Sequence, residues 1–442
     1  MKAQIQYIRT HLRQPWLLAV LCIAVIPIFP EYISIPLAGC SIWAAAYDAK
    51  ARRQSLFIGT LGKLLLVFIA YMAVGVFYSD NPLNSLSTLA MWVIMFLVYL
   101  AMTTVLCNKQ RFDTALFCIA LVAGIVGLIS CFQYGLNLVL SSHVPQQFWG
   151  WIDRVVYQWF PMPLNLNDFG SRVSSTFTNP NIVAEYLVMV LPFVIYYAFS
   201  GKRTRVRILC RVCLLTAVGG IAFSFSRGSY LALLCMVLVL CVANIRKLSV
   251  IIMSAVSLLV LVPDSVMERF FSVGSMDHSI SERWSIWGVT LKGILENPIF
   301  GRGPGIQNTW DMLVEAGVNA PHAHNLVLEL LVEGGIIALF IMMLIGWKVL
   351  RTGIHLLGNQ EVSFMGVTLI AFVLAFIMHG MVDFPLLCPK LVGTFMMVIA
   401  FTDVASRLYL GQRNADLSTM APTSLRRRRL ASDSVAMSSL SK

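Results

Sequence analysis

The strongest constraint on how this chain folds is its succession of long apolar runs, because a helix needs about 20 mostly apolar residues to cross a bilayer core of roughly 30 Å. Twelve such runs are readable, at about 16–31, 33–48, 55–78, 86–107, 114–139, 181–199, 208–225, 229–244, 248–263, 325–347, 363–382 and 389–408. Only helices or closed barrels satisfy their backbone in lipid. These runs are continuous rather than alternating, which selects helices. Pro27, Pro30 and Pro36 crowd the junction of the first two runs, which leaves open one re-entrant hairpin in place of two crossings. Composition agrees: hydrophobic residues make up 58% and charged residues 12%, against roughly a quarter charged in an ordinary soluble domain. A soluble enzyme, a disordered chain and a secreted disulfide scaffold are excluded. The predicted fold class is an all-α polytopic membrane protein with about 12 transmembrane helices over residues 1–410 and a basic, disordered tail over 411–442. No small-residue cleavage site follows the first run, so no cleavable signal peptide is expected.

The chain carries 33 basic against 21 acidic residues, a net +12. With both termini cytoplasmic, 24 of the 33 basic residues fall in the loops and tail of that one side, as the positive-inside rule requires. The other side holds Arg154, Arg172, Arg227, Arg269, Arg283, Lys292, Arg302 and Lys390, and Lys63 lies inside a run. Topology and attraction to anionic membrane lipid account for the basic balance, including Arg426–Arg429, and no nucleic-acid partner is expected. The cysteines fall mostly inside the runs and read as small buried hydrophobes.

Two loops on the side opposite the basic one are long, and long structured loops are usually functional. Residues 140–180 carry Trp149, Trp151, Trp159 and Phe160, then the polar stretch SRVSSTFTNPN. Residues 264–324 contain a segment, 279–296, whose helical periodicity sets Trp284, Trp287, Leu291 and Leu295 on one side, the pattern of an amphipathic interfacial helix. An extracytoplasmic site has neither ATP nor nicotinamide cofactor, so an energy-requiring reaction there must use a pre-activated substrate. No cofactor is expected.

The residues that carry chemistry sit on this side. Arg227, in FSFSRGSYLALL, runs against the charge bias, and an Arg at membrane depth is costly without an anion. It reads either as an interfacial Arg that snorkels to lipid phosphate or as a cation for a phosphate-bearing ligand, which guanidinium matches bidentately. Gly228 would let a ligand approach the backbone. Arg283, between Glu282 and Trp284, is an exposed helix charge or part of the same anion site. Arg302, in GRGPG, reads as a tight turn at a pocket rim, since the stretch lacks the Lys-Ser/Thr of a P-loop. Arg172 precedes SSTFTNPN, where Asn179 and Pro180 read as the N-cap and first position of a helix whose N-terminus attracts anions. His322 and His324, two residues apart, do not share a helix face, and no H-E-x-x-H or Cys cluster accompanies them. An acid–base histidine is therefore favoured over a metal site. His379 and Asp383, in MHGMVDFPL, form an ion pair, a helix-end cap or a substrate contact.

Together these motifs resemble the O-antigen ligase/polymerase/O-oligosaccharyltransferase superfamily of bacterial envelope glycosyltransferases. The resemblance runs from RVSSTFTNPNIVAEYL through SFSRGSY, SERWSIW and GRGPGI to PHAHNLVLELLVEGGIIAL and HGMVDFP, and the spacing H-N-x9-G is met by His324, Asn325 and Gly335. The chain departs from the ligase pattern at Ala338, where Gly, Thr or Tyr is usual. The resemblance implies a GT-C-like glycosyltransferase of the bacterial inner membrane, with its active site periplasmic. Its donor would be an undecaprenyl pyrophosphate-linked glycan and its acceptor a hydroxyl, on lipid A–core for a ligase. It implies His324, Arg227 and Arg283 as catalytic residues, without metal. Arg172, Arg302, His322, Asn325, Asn179 and Asp383 would bind pyrophosphate or sugar. The ligase is the leading expectation. A polymerase shares the donor and differs in acceptor, and a protein O-oligosaccharyltransferase is a further alternative. A lipid-linked oligosaccharide flippase would need charges buried mid-span.

Overall fold

The computed structural model describes residues 14–141, 172–200, 204–243 and 278–411. The expected span at 248–263, the tryptophan-bearing part of the 140–180 loop and the tail beyond 411 lie outside these residues. Every regular element among the described residues is helical. In chain order the α-helices are α1 Pro15–Ala24, α2 Glu31–Ala51, α3 Thr60–Gly75, α4 Pro82–Val105, α5 Lys109–Ser141, α6 Pro180–Ser200 and α7 Thr204–Phe223. They continue as α8 Arg227–Ala243, α9 His278–Glu296, α10 Ile306–Glu315, α11 Leu326–Leu357, α12 Ser363–Gly380 and α13 Pro389–Ala405.

Among the described residues, eight stretches are long and apolar enough to cross a membrane: Thr60–Tyr78, Pro82–Val105, Lys109–Leu136, Pro180–Ser200, Thr204–Phe223, Leu326–Leu357, Ser363–Gly380 and Pro389–Leu410. They coincide with eight of the twelve expected spans. Two further expected spans are apolar but shorter, Pro15–Ile28 and Arg227–Leu240. α1 stops at Ala24 and gives way to a single 3-10 turn, Ile26–Ile28, because Pro27 cannot continue the helical hydrogen bonding. α2 has the length to span but carries Glu31, Asp48 and Lys50, with Pro36 inside it. It packs back on α1, and Ser41 Oγ donates to the Ala19 carbonyl at 2.9 Å.

The bundle is organised around α6 and α13, whose apolar windows are 89% and 83% buried, against 39% for α3 and α7 at the rim. α6 packs on α5, α7 and α12, and α8 packs on α12. Cys210 and Cys213 form a C-x-x-C pair, but both are free thiols buried along α7, where they pack as small hydrophobes.

The two ends of the bundle differ in charge. At one end Arg52 and Arg111 meet Asp48, and Lys109 reaches Glu361 at 3.4 Å. Arg205, Arg207 and Arg351 lie on the helix turns nearest that end. The opposite end gathers the N-termini of α6, α8 and α11 and the C-termini of α7 and α12.

α11 is two helices joined across a break at Gly334 and Gly335, where Gly335 has φ 63°. The carbonyls freed by the break are taken up by another part of the chain. Arg302 N donates to Val332 O at 2.7 Å, Gly303 N to Glu333 O at 3.0 Å and Tyr71 Oη to Gly334 O at 2.8 Å. The GRGPG segment is therefore a backbone patch on a broken membrane helix, which is how irregular backbone is tolerated at such depth. The amphipathic helix falls where the periodicity placed it. α9 buries Ile286 and Ile294 against Met312 and Leu313 of α10, while Trp284, Leu291 and Leu295 face outward, 68%, 51% and 77% exposed. Trp287 lies between these faces and donates to the Ala323 carbonyl at 3.0 Å.

Candidate active site

His324 is the end point of several local constraints. Asn325 caps α11: its Oδ1 accepts from Val327 N at 2.9 Å and Leu328 N at 3.1 Å. Such a cap contributes about 1 kcal/mol. Its amide also donates to the Met381 carbonyl at 2.9 Å, which pins the start of α11 to the turn after α12. Glu329, one turn into α11 and fully buried, accepts from Thr309 Oγ1 and from Ala323 N, both at 2.6 Å. With Trp287 on the Ala323 carbonyl, both backbone polar groups of Ala323 are held. His324 then takes a left-handed backbone, φ 47°, a conformation that costs a non-glycine residue energy and recurs at functional sites. Ser175 and Phe225, at φ 53° and 49°, do the same in the two neighbouring turns.

His324 Nδ1 faces Asp383 Oδ1 at 3.2 Å. A carboxylate there fixes the N–H on Nδ1 and leaves Nε2 as the proton acceptor. Asp383 is held in turn. Phe384 N donates to its Oδ1 at 3.0 Å and Asn181 Nδ2 to its Oδ2 at 3.1 Å. Asn181 Oδ1 accepts from Arg172 Nη2 at 2.6 Å, and Arg172 Nε donates to the Ser224 carbonyl at 2.9 Å. One hydrogen-bonded chain thus runs Arg172–Asn181–Asp383–His324. Burial alone would raise the Asp383 carboxyl, but the hydrogen bond and charge of His324, with His322 and His379 nearby, hold it well below the usual carboxylate range.

His322 is buried, and its ring centroid lies 3.9 Å from that of His324. Its Nδ1 accepts the His324 N–H at 3.1 Å. Burial first, then the neighbouring His324, push its pKa down to about 4, so it is a neutral acceptor that positions His324. His322, His324 and Asp383 each offer a ligand atom within 4.8 Å of one another. Their Nδ1 atoms are engaged within the network, His322 Nδ1 with a backbone N–H and His324 Nδ1 with the carboxylate.

The arginines divide by their contacts. Arg227 starts α8, half-buried. Gly228 beside it is needed for close packing of the protein on itself rather than of a ligand: a Cβ there would overlap the Val382 side chain. Arg283, half-buried on α9, is close enough for its charge to act on both His322 and His379. Arg302 stands apart, bound to Glu296 and to Asp80 at 3.4 Å. Asn179 is the N-cap that its position before Pro180 implied, with its Oδ1 accepting from Asn181 N at 2.8 Å. The 172–179 turn is braced from below by Lys390, whose Nζ donates to the Thr176 carbonyl at 2.7 Å over the Phe177 ring.

Residues 212–343 match the family model described as O-antigen ligase. This segment is similar to an O-antigen ligase family domain. No curated protein matches the chain. The domain is that of ligase- and polymerase-type proteins of O-antigen assembly, here on a scaffold with several membrane-spanning helices. Arg227, Arg283, Arg302, His322, His324 and Asn325 fall inside the matched residues, whereas Arg172, Asn179, Asn181 and Asp383 lie outside them.

Sequence reasoning passed over Asn181, Glu329, Thr309, Glu185 and Ser229. The carboxylates carried a usable signal, since Glu185 and Glu329 stand in apolar spanning helices where an acid is expensive unless it has work to do. Asn181, two residues past the expected N-cap, and Ser229, two past Arg227, carried none. His379 does not pair with Asp383 through its side chain; it meets Glu185 and Ser229 instead.

Proposed function

We propose that this protein is an O-antigen ligase that moves a glycan from undecaprenyl pyrophosphate to a hydroxyl of lipid A–core. The reaction takes place at the periplasmic face of a bacterial inner membrane. The observation that carries this reading is the His324–Asp383 contact, joined to Arg172 through Asn181. A base with a fixed tautomer stands in one network with a guanidinium, at one end of a helical membrane bundle.

The donor is already activated, so the protein has to neutralise charge and move one proton. His324 Nε2 takes the acceptor hydroxyl proton as that oxygen bonds to the anomeric carbon. The bond from that carbon to the pyrophosphate oxygen breaks on the opposite face, which inverts the configuration. Arg227 and Arg283 face the charge that develops on the leaving pyrophosphate, and fixed cations of this kind are often the largest catalytic term. Arg172 has a hydrogen-bonded backing that holds it as a sugar or phosphate contact, and Arg302 serves the rim of the site through the loop it anchors. No cofactor or metal enters these steps. The basic end of the bundle, with Arg52, Lys109, Arg111 and Arg205, supports a cytoplasmic assignment for that end and for both termini, opposite the site. The buried carboxylates lie near helix ends rather than at mid-span, which favours a surface reaction over transport.

The test supplies purified protein with an undecaprenyl pyrophosphate-linked glycan and lipid A–core. Glycan-capped core that disappears in His324→Ala, in protein that still inserts, is the expected result. Longer lipid-linked chains would make it a polymerase, and undiminished transfer by His324→Ala would remove the assigned chemistry.

A further inference from the structure

Beneath the His324–Asp383 pair lies a second buried set that the chemistry above does not use. Glu185 stands one turn beyond Asn181 on α6. His379 stands one turn before Asp383, and the Asp383 N–H donates to the His379 carbonyl at 3.1 Å. The Glu185 carboxylate lies 3.5 Å from His379 Nδ1, and His379 Nε2 lies 2.8 Å from Ser229 Oγ. All three side chains are closed to solvent, with Glu185 at 2%, His379 at 1% and Ser229 at 0% exposure. The two levels repeat one pattern on the same two stretches of chain. Asn181 and Asp383 form the upper rung and reach His324; Glu185 and His379 form the lower rung and reach Ser229. Ser229 belongs to the first turn of α8, two residues past Arg227, and its Oγ also contacts Ser226 Oγ at 3.1 Å.

The lower rung is poor as a stabilising device. Glu185 Oε2 and His379 Nδ1 have no hydrogen-bond partner, and a buried pair with unsatisfied atoms is commonly worth less than well-packed apolar residues of the same volume. What the rung does provide is register. It ties the helix that begins at Arg227 to the turn that ends at Asp383, and Gly228 lets the two approach by leaving room for Val382.

We propose that Glu185, His379 and Ser229 are a positioning layer that fixes Arg227 relative to the His324–Asp383 pair. It thereby sets the alignment of the leaving pyrophosphate with the acceptor hydroxyl. This rests on the transferase reading above. None of the three touches substrate; they act through Arg227 and Asp383.

The experiment measures kcat and donor KM for glycan transfer by the full-length protein carrying Ser229→Ala, His379→Leu or His379→Gln, with His324→Ala alongside. Ser229→Ala and His379→Leu should lower kcat by about tenfold to a hundredfold, the cost of misplacing reacting groups by less than an ångström or so, with donor KM within about twofold of the parent. His379→Gln can still hydrogen-bond Ser229, as donor or acceptor, and should recover most of the rate. Parent-level kcat in both Ser229→Ala and His379→Leu overturns the proposal, and so does a loss that appears only in KM. Ser229→Ala removes a single oxygen and supplies the answer if His379→Leu fails to insert. If His324→Ala still transfers glycan, the transferase reading itself fails. If His324→Ala is dead while Ser229→Ala and His379→Leu are unimpaired, only the positioning layer fails.

Discussion

His324 holds a left-handed backbone, φ 47°, and in that conformation its Nδ1 stands 3.2 Å from Asp383 Oδ1. Strain of order 1–3 kcal/mol persists only where surrounding contacts over-determine it, and here Glu329, Trp287 and Asn325 do so. The carboxylate selects the tautomer that leaves Nε2 basic. Asp383→Asn keeps the shape but offers an amide N–H to Nδ1, which favours the proton on Nε2. Glycan transfer by Asp383→Asn should fall by about 10²–10⁴-fold, a range set by loss of general-base function and of tautomer control. Initial rates in detergent check this. A rate within a factor of three of the parent would show that Asp383 does not orient the base.

Arg227 is assigned to the leaving pyrophosphate because a guanidinium offers two parallel donors to phosphate oxygens, whereas an ammonium offers a point charge. Arg227→Lys therefore keeps the charge and loses the fork. It should lower kcat by about 10²-fold or more, comparable to loss of a pre-organised oxyanion donor, with the protein still inserted at parental yield. Full activity in Arg227→Lys would mean that charge alone suffices there.

Much of the bundle was legible in the sequence because the bilayer imposes a length and a polarity that one chain displays directly. The amphipathic helix at 279–296 was legible for the same reason. Pro27 and Pro36 marked where the pattern weakens, and α1 and α2 there fall short in length or apolarity. The site was legible in part, as isolated motifs. His324, Asp383 and Arg172 could each be singled out as a charge or imidazole out of place, but their connection runs through Asn181, a neutral residue in an unremarkable helix turn. Arg302 shows the opposite case. A charge that violated the topology bias turned out to be bound to Glu296 and Asp80, because the sequence does not reveal which acids fold back beside it.

His322 ties stability to pH. Burial lowers its pKa to about 4 from the ordinary 6.5. Between those values the unfolded chain binds the proton and the folded protein does not, so stability rises with pH across about 4 to 6.5 and the contribution is complete above it. The shift corresponds to at most about 3 kcal/mol. The thermal unfolding midpoint in detergent should climb through this window, and His322→Gln, which has no such titration, should climb less. Identical pH profiles for the two proteins would show that His322 is not held neutral by the fold.

His322, His324 and Asp383 converge closely enough to resemble a three-ligand metal set, yet the proposed chemistry uses His324 Nε2 as a base, with both Nδ1 atoms hydrogen-bonded inside the network. Glycan transfer should therefore be unchanged by EDTA and by added divalent cations. Activity lost to EDTA and restored by one particular divalent ion would reassign these three residues as ligands and displace His324 as the base.

Gly335 is required by its backbone, φ 63°, and by contact, since a Cβ there would run into the Ile299 carbonyl. The break it permits is what turns the carbonyls of Val332 and Glu333 toward the amides of Arg302 and Gly303. Gly335→Ala should destabilise the protein by at least about 1–3 kcal/mol, from the disallowed conformation alone. The cost should appear as a lower unfolding midpoint, with transfer falling along with it, because Glu329 and the His324 turn sit on the half-helix above the break. Gly346, on the same helix with nothing within 4 Å of its would-be Cβ, is the control. Gly346→Ala should leave the midpoint level or raise it slightly, as helix propensity predicts. If both substitutions behave alike, the break in α11 is not what organises this end of the molecule.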